Sequence, residues 1–128
     1  MSENRIHIVL VDDDKFLLET YALKFQQNGF DVKACLSVKI ALQTLREGFP
    51  ADGVIFDIVM PEQDGFSLME TIKAENLAPN AKLIALTNQS DDTEKKHAED
   101  LGVTRYIIKA SMIPSEVVEA VKETLAAK

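Results

Sequence analysis

The chain has 128 residues, the size of one common domain, and 46% of them are hydrophobic, enough for a folded core. A formal net charge of -7 with a pI near 4.8 makes nucleic acid a poor direct partner, because phosphates are repelled. No apolar run reaches the roughly 20 residues of a membrane span, residues 1–5 lead into no secretory pattern, and the single cysteine, Cys35, lacks an internal disulfide partner. The expectation is one cytoplasmic domain over residues 1–128, with no membrane insertion and no effector domain.

The first apolar run is Ile6, Ile8, Val9, Leu10 and Val11, broken only by His7 and leading into Asp12, Asp13 and Asp14. A stripe of Phe16, Leu17, Leu18, Tyr21, Leu23 and Phe25 predicts a helix that stops at Asn28-Gly29. Val32 to Leu36 is a weaker strand candidate. Ile40, Ala41, Leu42 and Leu45 predict a second helix ending near Gly48, with Pro50 just beyond. Val54-Ile55-Phe56 is the third strand and runs into Asp57. After Pro61, Asp64-Gly65 opens a third helix carried by Phe66, Leu68, Met69 and Ile72. Leu83 to Leu86 is a fourth strand, ending at Thr87.

Residues 90–102 predict a helix of a different kind, in which only Ala98 and Leu101 are apolar. Such a helix buries little surface and is expected to be the most mobile element. Its acids Asp91, Asp92 and Glu94 fall in the first turn, where they offset the helix dipole. Tyr106-Ile107-Ile108 is the fifth strand and delivers Lys109. Val117, Val118, Val121 and Leu125 predict the last helix, with Pro114 in its first turn. Short, continuously apolar strands suit burial on both faces. Five of them alternating with five helices predict a three-layer, doubly wound α/β domain on a parallel sheet.

In that architecture ligands bind beyond the carboxyl ends of the strands. Those ends bring together Asp12 and Asp13, Asp57, Thr87 and Lys109. Clustered carboxylates repel one another unless a cation intervenes. Mg²⁺ is a hard cation that takes oxygen ligands. A carboxylate beside it can serve as a nucleophile toward phosphorus, with a lysine and a hydroxyl to neutralise charge on the transferred group. Asp14 is most simply the N-cap of the first helix. Thr87 or Lys109 alone would be structural or surface residues; the convergence of four strand ends carries the signal. His7 and His97 stand apart from other ligands and are expected to have no functional role.

Taken together, "IVLVDDD" at 8–14, "FDIVMPEQDGF" at 56–66, Thr87 and "YIIK" at 106–109 resemble the receiver domain of bacterial response regulators, over essentially the whole chain. The resemblance implies a five-stranded sheet in the flavodoxin-like order 2-1-3-4-5, an example of which the chemotaxis receiver supplies. It implies a phosphoacceptor in a two-component phosphorelay, with Asp57 phosphorylated by a sensor histidine kinase or a histidine phosphotransfer protein. Asp12, Asp13, Asp57 and the backbone carbonyl of Val59 would hold Mg²⁺. Thr87 and Lys109 would contact the phosphoryl oxygens, and Tyr106 would reorient as Thr87 moves. That change would be read on the surface of the fourth helix, fifth strand and fifth helix by a downstream protein, with the chain a monomer or a phosphorylation-dependent dimer.

Three departures limit what carries over from the family pattern. Ala110 follows Lys109 where the family has a cis-proline, so this loop is either trans with a changed shape or cis under strain, at about 3 kcal/mol. Asn88 replaces a small residue and narrows access to the site. Val59 and Gln89 stand where the phosphoryl lifetime is tuned; Val59 cannot orient an attacking water, whereas Gln89 has the polarity to do so. Val59 also lacks the second carboxylate of aspartate-nucleophile phosphohydrolases, so turnover of external substrates is not expected. A flavodoxin-like FMN site would need a phosphate loop where this chain has three acids. A phosphorylation-independent binding module would not need the five polar residues together.

Overall fold

A computed structural model of the chain describes residues 5–60, 63–88 and 91–127. The strands are β1 (His7–Val11), β2 (Asp31–Cys35), β3 (Gly53–Phe56), β4 (Lys82–Thr87) and β5 (Arg105–Ile108). The helices between and after them are α1 (Lys15–Gln27), α2 (Val38–Arg46), α3 (Gly65–Ala74), α4 (Asp92–Asp100) and α5 (Pro114–Ala126). All strand pairs are parallel, in the order β2-β1-β3-β4-β5. This is the expected three-layer, doubly wound α/β fold.

Alternation along each central strand feeds two separate cores. Ile8 and Leu10 of β1 face Leu18, Phe25, Val117 and Val121 of α1 and α5. Val9 and Val11 face the opposite way, toward Leu42, Leu68 and Met69 of α2 and α3. β2 is an edge strand with only Cys35 buried, which explains its faint apolar signal. Gly29 and Gly48, with φ of 86° and 99°, follow α1 and α2 as left-handed terminators. Asp14, Ser37, Asp64 and Asp91 each accept a backbone N–H at the start of their helices. Pro114 opens α5 in its first turn.

Three residues read as core lie outside it. Phe16, Leu23 and Ile40 are 76%, 56% and 45% exposed. In α1 the buried set is Leu18, Tyr21, Ala22 and Phe25, a spacing of three to four residues, and Phe16 and Leu23 fall on the other side of the turn. α4 is as sparsely anchored as its composition predicts, with Ala98 its one buried residue. At the opposite end of the sheet from the strand carboxyl ends, Lys82 Nζ donates to the carbonyls of Thr124 (2.7 Å) and Ala127, closing the last turn of α5.

Candidate functional site

The register places the acids. Val11 pairs with Phe56, so Asp12 and Asp57 leave adjacent strands at the same level. β1 and β3 are neighbours here because the chain steps outward to β2 and then returns across β1, the switch point where such sheets bind ligands. Thr87 pairs with Ile108, so Lys109 emerges one residue beyond it on the next strand. Asp12, Asp57, Thr87 and Lys109 are all buried. Asp13, one residue further along the loop, is exposed.

Lys109 Nζ donates to Asp12 Oδ2 at 2.6 Å and to Asp57 Oδ2 at 3.0 Å. The remaining oxygens are also engaged: Asp12 Oδ1 accepts the Asp14 N–H (2.9 Å) and Asp57 Oδ1 accepts the Val59 N–H (3.2 Å). Burial pushes the Asp57 carboxyl above its ordinary range, and the Lys109 ammonium offsets this only in part. Burial works against the Lys109 charge too, but its bonds to Asp12 and Asp57 prevail and hold its pKa up. Asp57 is thus a desolvated carboxyl bonded to a cation, and its ionised form is a nucleophile.

One oxygen from each of Asp12, Asp13 and Asp57 lies within 4.8 Å of the other two. Ligand oxygens around octahedral Mg²⁺ stand roughly 3 to 4 Å apart, given bonds of about 2.1 Å. The three carboxylates fit such an ion in chemistry, and in spacing after a small contraction. Beside them, a cleft of about 240 Å³ is lined by Asp13, Ser37, Lys39, Met60 and Gln63 among others.

The loop after Asp57 is tightly specified. Gly65 N–H donates to the Ile58 carbonyl (2.8 Å). A Cβ at Gly65 would lie 2.8 Å from the Asp57 carbonyl oxygen and 2.9 Å from Ile58 Cα. No described peptide bond is cis, so Lys109–Ala110 is trans, and Lys109–Ser111 make a single 3-10 turn. Asn88 is exposed, and so is Val59, at 61%. Gln89 and Pro61 lie outside the described residues.

Tyr106 is half-buried, and its hydroxyl donates to Glu94 Oε1 at 2.9 Å. Burial first, then that bond and the charges of Glu94 and Asp91, push its phenol up to about 12. Two contributors were not foreseen. Glu94 read only as a dipole-compensating acid, and Tyr21 read only as core. Tyr21 is buried, its pKa raised first by desolvation, and it also feels the charges of Lys109, Asp12 and Asp57 from beneath the site. His7 stands away from the site, between Asp31 and Asp52 at 3.4 and 3.6 Å.

The comparisons with known proteins agree with this geometry. The family model for the response regulator receiver domain matches residues 8–122. The transcriptional regulatory protein GltR of Pseudomonas aeruginosa is 31% identical over 98% of this chain and 51% of its own length. A probable cyclic di-GMP phosphodiesterase of Vibrio cholerae is 32% identical over 84% of this chain and 24% of its own. The chain therefore spans about half or less of these curated relatives. Among solved structures, a CheY-like receiver domain protein from Methanospirillum hungatei superposes with a TM-score of 0.84 at 27% identity, covering 94% of both chains. The BeF3-activated DrrB receiver domain gives 0.80 at 28%, covering 96% of this chain and 99% of that one. The site is consistent with a phosphoacceptor role in two-component signalling, and the chain belongs to the response regulator receiver domain family.

Proposed function

We propose that Asp57 is the residue that accepts the phosphoryl group. The observation that carries this reading is the buried Asp57 carboxylate, 3.0 Å from the Lys109 ammonium and within 4.8 Å of oxygens from Asp12 and Asp13. An Asp57 carboxylate oxygen attacks phosphorus, and the bond from phosphorus to the donor's nitrogen or acyl oxygen breaks. The electron pair leaves with the donor, and the product is an aspartyl phosphate. Asp12, Asp13, Asp57 and the Val59 carbonyl are the proposed Mg²⁺ ligands; a bound Mg²⁺ would neutralise charge on the transferred group. Lys109 supplies a fixed ammonium for one phosphoryl oxygen, and Thr87 a hydroxyl for another. Moving Lys109 from Asp12 to the phosphoryl group costs little charge, because one anion replaces another.

The donor is proposed to be a sensor histidine kinase or a histidine phosphotransfer protein. Tyr106 couples Thr87 to the surface of α4, β5 and α5, where a downstream protein reads the change. Val59 offers no acid or base beside Asp57, so turnover of external phosphate esters is not proposed. Incubation with Mg²⁺ and acetyl phosphate should add one phosphoryl group to the wild-type chain by intact mass, and none to Asp57→Ala. Equal labelling of the two would remove Asp57 from the role.

A further inference from the structure

The bond from Tyr106 to Glu94 ties α4 to β5. That helix buries only Ala98. Among the described residues it also packs His97 edge-on against Phe66, ring centroids 4.3 Å apart. Glu94 sits in the first turn, where its N–H also donates to the Asp91 cap at 3.0 Å. Tyr106, on β5, pairs with Ala85, which precedes Thr87 by two residues on β4. Residues two apart on a strand share a face, so Tyr106 lies on the Thr87 side of the sheet, beside a methyl-sized neighbour. The 2.9 Å bond thus ties the ring to α4.

We propose that Glu94 is a positioning residue for Tyr106: its carboxylate latches the ring against α4, and occupancy of Asp57 releases it. This rests on the reading of Asp57 as the phosphoacceptor and of Tyr106 as the residue coupled to it. If the ring must leave Glu94 when Asp57 is occupied, part of the binding free energy at Asp57 is used to break the bond. Linkage then requires that weakening the latch tightens binding at Asp57.

Beryllofluoride, a phosphoryl mimic, provides the test, with its affinity measured by fluorine NMR at fixed Mg²⁺ and α4 opening followed by amide exchange. Glu94→Ala should bind about fivefold tighter than wild type, the size expected for a partly exposed hydrogen bond to a charge. Tyr106→Phe should also bind more tightly than wild type, and the double variant should gain less than the sum of the two, because the Tyr106–Glu94 bond is lost in both. Glu94→Gln keeps an acceptor oxygen without the charge and should fall between wild type and Glu94→Ala in affinity and α4 exchange. Wild-type affinity in both Glu94→Ala and Tyr106→Phe overturns the latch, as does Glu94→Gln behaving like Glu94→Ala. Should Glu94→Ala fail to fold, Tyr106→Phe and Glu94→Gln decide the matter alone. Absence of Asp57-dependent binding in the wild type would instead overturn the phosphoacceptor reading, and the latch with it.

Discussion

Lys109 Nζ lies 2.6 Å from Asp12 Oδ2, with the two side chains only 6% and 4% exposed. With Asp57 also bound to it, one ammonium compensates two buried carboxylates. Replacing Lys109 by Met leaves both without their cation, and breaking such a buried pair costs about 3–5 kcal/mol. Urea denaturation of Lys109→Met should show that loss without Mg²⁺. Millimolar Mg²⁺ should restore more stability to the variant than it adds to the wild type, since the cation takes over the missing charge. An equal Mg²⁺ increment in the two proteins would show that Lys109 and the metal do not share the same carboxylates.

Gly65 is a second point of control, acting on Asp57 through backbone. The atoms that a Cβ there would strike include the Asp57 carbonyl and Ile58 Cα, neither of which can rotate away. Gly65→Ala should cost about 1–3 kcal/mol, the usual range for overpacking. It should also slow acetyl-phosphate labelling, because the loop after Asp57 has to shift. Stability and labelling rate both at wild-type values would contradict the crowding.

The exposed and buried faces of α1 predict opposite outcomes for similar residues. Phe16→Ser and Leu23→Ser should change stability by no more than about 0.5 kcal/mol. Leu18→Ala, at a position 3% exposed, should cost about 2–5 kcal/mol. Chemical denaturation of the three variants separates the two faces.

Tyr106 gives a pH signature. Its phenol is raised from an ordinary 10 to about 12, so the folded chain keeps it neutral where the unfolded chain ionises it. The resulting stabilisation is complete below about pH 10 and disappears as pH rises toward 12. A phenolate absorbance titration in a Tyr21→Phe background should place the midpoint near 12, and Glu94→Gln should lower it. A midpoint near 10 would show that neither burial nor Glu94 acts on the hydroxyl.

Most of the fold was legible because burial on both faces leaves the three central strands, β1, β3 and β4, as bare apolar runs, each ending in a polar residue. The edge strand β5 still carries Tyr106-Ile107-Ile108 ahead of Lys109. β2 was faint because an edge strand buries little, and only Cys35 lies deep. Phe16, Leu23 and Ile40 misled because apolar character at helical spacing does not show how wide the buried stripe is. The candidate site was legible at the level of which residues converge, since strand ends alone bring Asp12, Asp57, Thr87 and Lys109 to one rim. Which of them touch was not. That Lys109 bonds to Asp12 as well as to Asp57 depends on the reach of a long side chain from a trans 3-10 turn. The contact between Tyr106 and Glu94 depends on where α4 lies over the sheet, which local sequence does not set.

The grip of Lys82 on the last turn of α5 bears on β4 as a whole, because Lys82 is its first residue and Thr87 its last. The strand is anchored at its root and carries its hydroxyl at its tip, like a beam clamped at one end. If Thr87 is drawn toward Asp57 as proposed, the α5 end of that beam is the held end, and α4, with Ala98 its one buried residue, is the lightly packed side. On that reading, displacement at the tip would pass sideways toward Tyr106 and the lightly moored helix, with the face built on α1 and α5 as ballast.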